Sequence, residues 1–280
     1  MPQSFKLCLN TSTIRGANLS LVQQIDVAAQ AGYQGIEPWL NTIHEYASLG
    51  GKLSEVAMRL SDYGLSVESG IGFAAWISDD DAKRALALEQ LKRDMDAIQQ
   101  LGGKRIAAPP SGIDNSQSIQ LDAIGERYQA ILALGREIGV TPMLEVWGHS
   151  AAIRKLPQCL YAASAANHPD ACLLLDIYHL HKGGSGFEAL SLLGPKAMQV
   201  IHLNDYPDSI PLEQLGDKDR VMPGDGDAPF ETILPTLKAI NPSMTLSLEL
   251  FNRDIWKLPP LDAAIMGREK LQALINRFAP

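Results

Sequence analysis

Four residues with metal-binding side chains follow apolar runs in the second half of the chain. They are Glu145, Asp176, His202 and Glu249. Three carboxylates and one imidazole suit a hard or borderline divalent ion such as Mn²⁺, Mg²⁺, Co²⁺ or Zn²⁺. No thiolate accompanies them, which argues against a closed structural zinc site. If the four side chains converge, they predict a site for one divalent metal ion.

Short strand-like runs alternate with helical periodicity along all 280 residues. The predicted strands are residues 5–10, 33–39, 65–73, 105–108, 141–147, 171–177, 198–204 and 244–251. The predicted helices between and after them are residues 21–29, 53–63, 80–101, 124–138, 153–166, 188–193, 230–239 and 261–278. Such strict alternation predicts a single (β/α)₈ TIM barrel over residues 1–280. A doubly wound open sheet is the alternative, but no glycine-rich phosphate loop follows the first strand.

Alternation within the strands tests whether the four polar groups face the same way. In residues 141–147, Leu144 and Val146 suit the helix-facing outside of a barrel, which leaves Glu145 inside. The same alternation places the other three residues inside, each at the carboxyl end of its strand, where barrel enzymes carry their active sites. For any single position the alternative is a carboxylate paired with Arg or Lys, or a histidine satisfied by a backbone carbonyl. Because all four side chains take inward-facing positions on consecutive strands, a metal site is favoured.

The bulk composition restricts the partners. Twenty-four basic and 32 acidic residues give a formal charge of −8, which disfavours nucleic acid or any partner bound by phosphate neutralisation. The three cysteines are an odd number at unrelated spacings and predict free thiols in a reducing compartment. No apolar run reaches membrane-spanning length, so the sequence predicts a cytoplasmic protein without a membrane partner. It leaves the oligomeric state open, a homo-oligomer included.

One connection, residues 203–229, is longer than ordinary loops and is rich in Asp, Gly and Pro. A loop of this kind predicts a functional segment or a lid that folds over the barrel mouth and excludes water. Its acidic residues are predicted to be solvated for the most part. Asp219 is the exception, because it stands beside Arg220 and could orient the guanidinium group.

Five motifs carry a family resemblance. They are LEVWGHS at 144–150, LLLDIYHLHKGG at 173–184, IHLNDYPD at 201–208, DRVMPGDGD at 219–227 and LELFNRDIW at 248–256. Together they resemble the xylose-isomerase-like superfamily of TIM-barrel sugar isomerases and epimerases, and within it the group of 2-keto-myo-inositol isomerases. The opening run KLCLNTST agrees with that group. The resemblance extends over most of the chain and is most specific in its second half.

The resemblance implies roles for individual residues. It implies that the four predicted ligands bind one divalent metal ion and that Glu145 and Glu249 also act as acid and base beside the substrate. His179, in the D-x-x-H element, and Arg220, in DRVMPG, match positions that hold substrate oxygens. His149, in WGHS, is a weaker match to a position on the substrate side.

Two residues near the end of the second predicted strand are further candidates for substrate contact. Glu37, in GIEPW, could project into the mouth or could instead pair with a nearby base. Trp39 could form an apolar wall against a sugar ring, and ordinary rim packing is its alternative.

The leading functional hypothesis is a metal-dependent isomerase or epimerase that moves a proton next to a carbonyl through an enediolate. An inosose or a ketose is the expected substrate. The first alternative is a dehydratase acting on an inosose or on 3-dehydroshikimate with the same metal site. Less favoured are a nuclease resembling the abasic-site endonucleases, which have many more histidines than the six here, and a non-catalytic sugar-binding module.

Overall fold

Eight parallel strands form one sheet in the computed structural model, which describes residues 5–280. The strands are β1 (Lys6–Asn10), β2 (Gly35–Glu37), β3 (Ser66–Val67), β4 (Arg105–Ala108), β5 (Thr141–Glu145), β6 (Leu173–Asp176), β7 (Met198–Leu203) and β8 (Thr245–Leu248). Their order in the sheet is β3-β2-β1-β8-β7-β6-β5-β4, so the first strand pairs with the last. Every strand lies within its predicted segment, and the predicted TIM-barrel fold is confirmed.

The seam between β3 and β4 is the least regular part of the barrel. A nine-residue strand is predicted at 65–73, but only two residues pair as a strand. Beyond them, Gly70 N–H donates to Arg105 O at 3.2 Å and Gly70 O accepts from Ala107 N–H at 2.9 Å. A Cβ on Gly70 would clash with the side chain of Ile98 in the helix that packs over it, so this position has no room for a larger residue.

Helices cover the outside of the sheet. Within residues 5–280 they are α1 (Leu21–Gln30), α2 (Leu40–Ser48), α3 (Leu53–Asp62), α4 (Asp81–Gln100), α5 (Leu121–Ile138), α6 (Leu156–Ala165), α7 (Ile177–Gly183), α8 (Phe230–Ile240) and α9 (Pro260–Phe278). The sequence did not predict α2 or α7, and the segment predicted as a helix at 188–193 is a short 3₁₀ turn, Glu188–Leu192. Helix α2 buries only Leu40 and Ile43, which is too weak a periodic signal to separate it from a loop.

Two apolar layers lie on opposite sides of the strands. The interior of the barrel is filled by Ile71, Ala107, Met143, Leu174 and Val200. The larger layer, between sheet and helices, takes the neighbouring positions of the same strands, such as Leu144, Leu175 and Ile201. This division agrees with the alternation expected from the sequence and leaves the carboxyl ends of the strands to the polar groups.

A buried aspartate fixes the long connection after β7. Asp205 is 0% exposed, and its carboxylate accepts hydrogen bonds from four backbone N–H groups. The donors are Tyr206, Gly224, Gly226 and Ala228. The prediction of a solvated acidic run is therefore wrong for this residue, because its charge is satisfied by the loop itself. That the loop opens and closes as a lid stays a prediction.

In the part of the chain that the structure describes, none of the helices combines the length and the apolar character that crossing a membrane requires.

Candidate metal centre and active site

Three polar side chains converge at the carboxyl ends of β6, β7 and β8. Asp176, His202 and Glu249 each offer one ligand atom, and these atoms all lie within 4.8 Å of one another. Nδ1 of His202 is 3.2 Å from Glu249 Oε2 and 3.8 Å from Asp176 Oδ2. Strand register accounts for the convergence, because Asp176 pairs with His202 and β8 runs beside β7.

Glu145 lies beside this trio at the end of β5. Its Oε1 is 3.9 Å from His202 Nδ1, so it stands next to the three clustered atoms without belonging to the closest set. The structure therefore brings the three predicted carboxylate ligands around Nδ1 of the fourth, His202.

The donor set fits a divalent ion. Both ring nitrogens of His202 are fully buried, and neither makes a hydrogen bond with the residues that the structure describes. Buried polar atoms are satisfied in nearly all folded proteins, so an imidazole that makes no aligned hydrogen bond among three carboxylates fits a site that binds a divalent cation. Oxygen donors and one imidazole are compatible with Mn²⁺, Mg²⁺, Co²⁺ or Zn²⁺, and they do not distinguish between these ions.

The two predicted acid/base residues have pKa values displaced in opposite directions. Burial, reinforced by Glu249 and Asp176, raises the pKa of Glu145 to about 8 against the opposing effect of His202. Burial also favours the neutral form of Glu249, but His202 and Arg220 outweigh it and lower its pKa to about 2. At neutral pH the metal-free protein therefore pairs a protonated carboxyl with an ionised one.

Arg220 reaches the centre from the long loop. Its Nη1 donates to Asp176 Oδ2 at 3.0 Å and to Glu249 Oε2 at 2.9 Å, and its side chain is 1% exposed. Its Nη2 donates to Asp217 Oδ1 at 2.5 Å. The prediction that Asp219 orients this guanidinium is wrong, because the carboxylate of Asp219 instead accepts from the backbone N–H of Gly216.

His179 lies in the first turn of α7, directly after β6. The side chain of Asp176 caps this helix, since its Oδ1 accepts from His179 N–H at 2.8 Å. The ring Nδ1 is 3.3 Å from Gly148 N–H, and Nε2 is 3.2 Å from Arg220 Nη2. A neutral imidazole has one acceptor nitrogen, so only one of these contacts can be a hydrogen bond at a time. Burial, with Arg220 next in importance, holds the pKa of His179 well below its usual value, and the ring stays neutral.

A cavity of about 220 Å³ opens above the cluster. Its polar lining includes His149, whose ring centroid is 5.3 Å from that of His179. Burial lowers the pKa of His149. Aromatic side chains form much of the remaining wall, namely Trp39, Phe73, Trp147 and Phe251. The cavity thus combines an apolar wall with acid, base and hydrogen-bonding groups, as small-molecule sites usually do.

The structure places Glu37 below the cavity. This residue is 0% exposed and does not line the cavity wall. Its Oε2 is 3.2 Å from His202 Nε2, on the side of the ring away from the other carboxylates. Of the two options that the sequence left open for Glu37, the contact with a nearby base is the one present in the structure.

Two residues of the site were not singled out from the sequence. Asn10 ends β1, and its Nδ2 donates to Glu249 Oε1 at 3.0 Å while its Oδ1 accepts from Trp39 Nε1 at 3.1 Å. Arg15 stacks on Trp39 with its Cζ 3.6 Å from the ring centroid. The strand-end rule that found Glu145 could also have found Asn10, whereas no sequence signal places Arg15 over Trp39.

Known proteins resemble this chain over nearly its full length. Inosose isomerase from Bacillus velezensis is 24% identical over 279 residues, covering 98% of this chain and 98% of the relative. Inosose isomerase from Bacillus licheniformis is 26% identical over 291 residues, covering 98% and 99%. The crystal structure of the IolI protein with a bound zinc atom superposes with a TM-score of 0.88 at 24% identity, covering 98% of this chain and 99% of that one.

A family model confirms the resemblance seen in the motifs. The model of the xylose isomerase-like TIM barrel family matches residues 25–274, which includes every strand from β2 to β8 and all the residues of the metal cluster. This chain is therefore a member of the xylose isomerase-like TIM barrel family.

Proposed function

We propose that this protein is a divalent-metal-dependent isomerase or epimerase that moves a proton next to the carbonyl of an inosose or a related keto-polyol. The observation that carries the proposal is geometric: Glu145 and Glu249 both line the cavity, next to the cluster of Asp176, His202 and Glu249. Inosose isomerase activity of the relatives supports the choice of substrate class.

The two glutamates supply the proton transfers. Glu249 stays ionised at neutral pH and can act as the base that removes a proton from the carbon next to the carbonyl. Glu145 lines the same cavity and can return a solvent-derived proton to the adjacent carbon or to the opposite face. A divalent ion held by Asp176, His202, Glu249 and Glu145 would stabilise the negative charge that develops on the substrate oxygens.

The remaining lining groups hold the substrate. Arg220 is fixed by three carboxylates and can orient polyol oxygens without losing its position. His179 and His149 offer neutral imidazoles to hydroxyl groups, and Trp39 lies against Phe73 and Phe251 as part of an apolar wall for a ring face. The small volume of the cavity suits a single sugar-sized ring better than an oligosaccharide.

Deuterium exchange tests the proposal directly. The metal-loaded protein is incubated with a panel of inososes and ketoses in D₂O, and the products are followed by mass spectrometry. An isomerase or epimerase conserves the carbon skeleton and its water content while incorporating solvent deuterium next to the carbonyl. Glu145→Gln and Glu249→Gln serve as matched variants, which should lose exchange while retaining the fold.

Other outcomes would contradict the proposal. Loss of one water from the substrate would favour a dehydratase using the same centre. Tight binding without any deuterium incorporation would favour a sugar-binding module. Full turnover by either glutamine variant would show that the assigned acid and base do not carry the reaction.

A further inference from the structure

Glu37 is a buried carboxylate close to the candidate metal centre and outside both the predicted ligand set and the cavity wall. Its Oε2 accepts hydrogen bonds from Ser247 Oγ and from Asn10 Nδ2, the latter at 3.4 Å. Burying an ionised carboxylate without a full set of partners costs free energy. Oε1 of Glu37 has no hydrogen-bond partner among residues 5–280. Such a group is expected to have a role beyond filling space.

The two nitrogens of His202 face different carboxylates. Nδ1 faces the ligand side, 3.2 Å from Glu249 Oε2, and Nε2 faces Glu37 Oε2, also at 3.2 Å. A neutral imidazole carries its proton on one nitrogen and its lone pair on the other. If Nδ1 gives its lone pair to a metal ion, Nε2 must carry the proton, and Glu37 is the acceptor in front of it.

We propose that Glu37 is a positioning residue that accepts a hydrogen bond from the Nε2–H group of His202 and thereby presents the Nδ1 lone pair to the metal ion. This inference rests on the proposed metal centre. The Nε2 contact is within hydrogen-bond distance but is not yet aligned as one, so rotation of the carboxylate or of the ring is the adjustment that it needs. A carboxylate behind a ligating histidine fixes its tautomer and orientation and makes it a better donor to the metal.

Strand positions explain why Glu37 is held in place. Ser247 pairs with His202 in the register of β7 and β8, and Asn10 pairs with Glu37 in the register of β1 and β2. The anchors of Glu37 therefore come from strands at the same level of the barrel as the histidine. Asn10 also donates to Glu249 Oε1, so one amide links the positioning carboxylate to a ligand.

Glu68 provides a matched control within the same barrel. It is also a buried glutamate, 6% exposed, but it lies against Lys6 and Thr245 and makes no contact with His202. A purely structural role for a buried carboxylate predicts similar behaviour of the two residues. A positioning role predicts that only Glu37 affects the metal.

Metal affinity measured without substrate is the test. Wild type, Glu37→Gln and Glu68→Gln are stripped of metal, checked for folding by circular dichroism, and titrated with Zn²⁺ in competition with a chromophoric chelator. We expect Glu37→Gln to lower the affinity about 10–100-fold and Glu68→Gln to leave it within about twofold. The visible absorption of the Co²⁺-loaded proteins should also change in Glu37→Gln alone, because the orientation of the ligating ring changes. Ser247→Ala removes one hydrogen-bond donor to Glu37 and should lower the Zn²⁺ affinity severalfold. This variant replaces Glu37→Gln in the test if Glu37→Gln does not fold.

Two results would overturn the inference. The first is an affinity of Glu37→Gln, or of Ser247→Ala where the first variant does not fold, within about twofold of wild type. The second is an equal loss of affinity in Glu68→Gln. Because no substrate is used, a protein that binds Zn²⁺ tightly and loses that affinity in Glu37→Gln supports the inference even if it catalyses another reaction. A wild type that binds no divalent ion contradicts the metal centre and the inference together.

Discussion

The two ends of the barrel interior treat buried charge in different ways. At the amino-terminal end, the carboxylate of Glu68 accepts hydrogen bonds from Lys6 at 2.7 Å, Ser66 at 2.6 Å and Thr245 at 2.8 Å. Burial alone would raise its pKa, but these partners lower it below the ordinary value. At the carboxyl-terminal end, burial raises the pKa of Glu145 to about 8, and His202 has no aligned hydrogen bond.

The difference shows which buried carboxylates are fully hydrogen-bonded by the protein and which are not. A carboxylate with three donors has its charge satisfied by the fold. The carboxylates at the mouth repel one another, and Glu145 keeps a raised pKa even though Arg220 and His202 lie among them. The barrel thus carries a structural ion pair at one end and the candidate metal centre at the other.

The largest expected effect is on turnover. Glu145→Gln and Glu249→Gln should each lower kcat by about 10²–10⁴-fold, because each removes a group that transfers a proton. Glu68→Gln should keep kcat within about twofold, since it lies at the other end of the barrel. Steady-state kinetics on the substrate identified by deuterium exchange provides the measurement. If Glu68→Gln lowered kcat as much as Glu145→Gln or Glu249→Gln does, the two ends of the barrel would not differ in their role in turnover.

Stability should respond with opposite sign at the two ends. Without metal at pH 7, Glu68→Gln should destabilise the protein by about 1–3 kcal/mol, because donors lose a charged acceptor. Glu145→Gln should stabilise it by about 1–3 kcal/mol. The carboxyl of Glu145 is neutral in the folded state below its pKa of about 8 but ionised in the unfolded chain, and this difference favours unfolding at pH 7. Urea denaturation in the presence of a chelator measures the free energy of unfolding of both variants. A change of the same sign in the two variants would contradict the prediction.

Metal binding should release protons at the carboxyl-terminal end. In the metal-free protein Glu145 is protonated at pH 7, and His202 is too, since Glu249 and Glu37 outweigh the effect of burial and raise the pKa of its imidazole well above the usual value. Both groups must lose a proton to act as ligands, so binding should release about two protons. Calorimetry in buffers of different ionisation enthalpy gives the number. Metal binding to Glu145→Gln should release about one proton fewer. Binding without proton release would show that Glu145 and His202 are already deprotonated in the metal-free protein.

The smallest effect is expected at the rim of the mouth. Arg15 stacks on Trp39 of the cavity wall, and it forms no ion pair within the described residues. Arg15→Met should raise KM a few-fold and leave kcat unchanged, because it weakens substrate binding without touching the acid or the base. Arg59→Met is the control away from the cavity, since Arg59 also lies over an aromatic ring, that of Tyr63, although it pairs with Asp26 as well. A fall in kcat for Arg15→Met would extend the catalytic region to the rim.

Much of the candidate site could be predicted because strand alternation is a local property. Side chains of adjacent residues point to opposite faces, so the apolar neighbours of Glu145 and His202 were enough to place both inside the barrel. The helix periodicity of α5 was equally direct, since Ile124, Tyr128 and Ile131 are all buried. Short elements such as α2 and α7 carry too few buried positions for that signal, and both were missed.

Contacts made inside the folded loop could not be predicted in the same way. Within the loop Arg220 pairs with Asp217 and not with the adjacent Asp219, because the 3₁₀ turn Asp217–Asp219 brings the residue three positions earlier under the guanidinium. The sequence predicts that Asp205 is solvated with the rest of the acidic run, but in the structure four backbone N–H groups of the loop donate to its carboxylate. Such contacts depend on how the loop folds back, which residue order alone does not determine.

The sequence by itself determined the eight-strand alternation, the inward side of each strand and the residue types of a divalent-metal site, because these follow from local periodicity and ligand chemistry. Only the tertiary structure decided the distances between residues of different strands. It places ligand atoms of Asp176, His202 and Glu249 within 4.8 Å of one another, Glu37 next to Nε2 of His202, and Glu68 next to Lys6. The physical reason is the stagger of strands in a closed barrel, which sets which residues of different strands share a level.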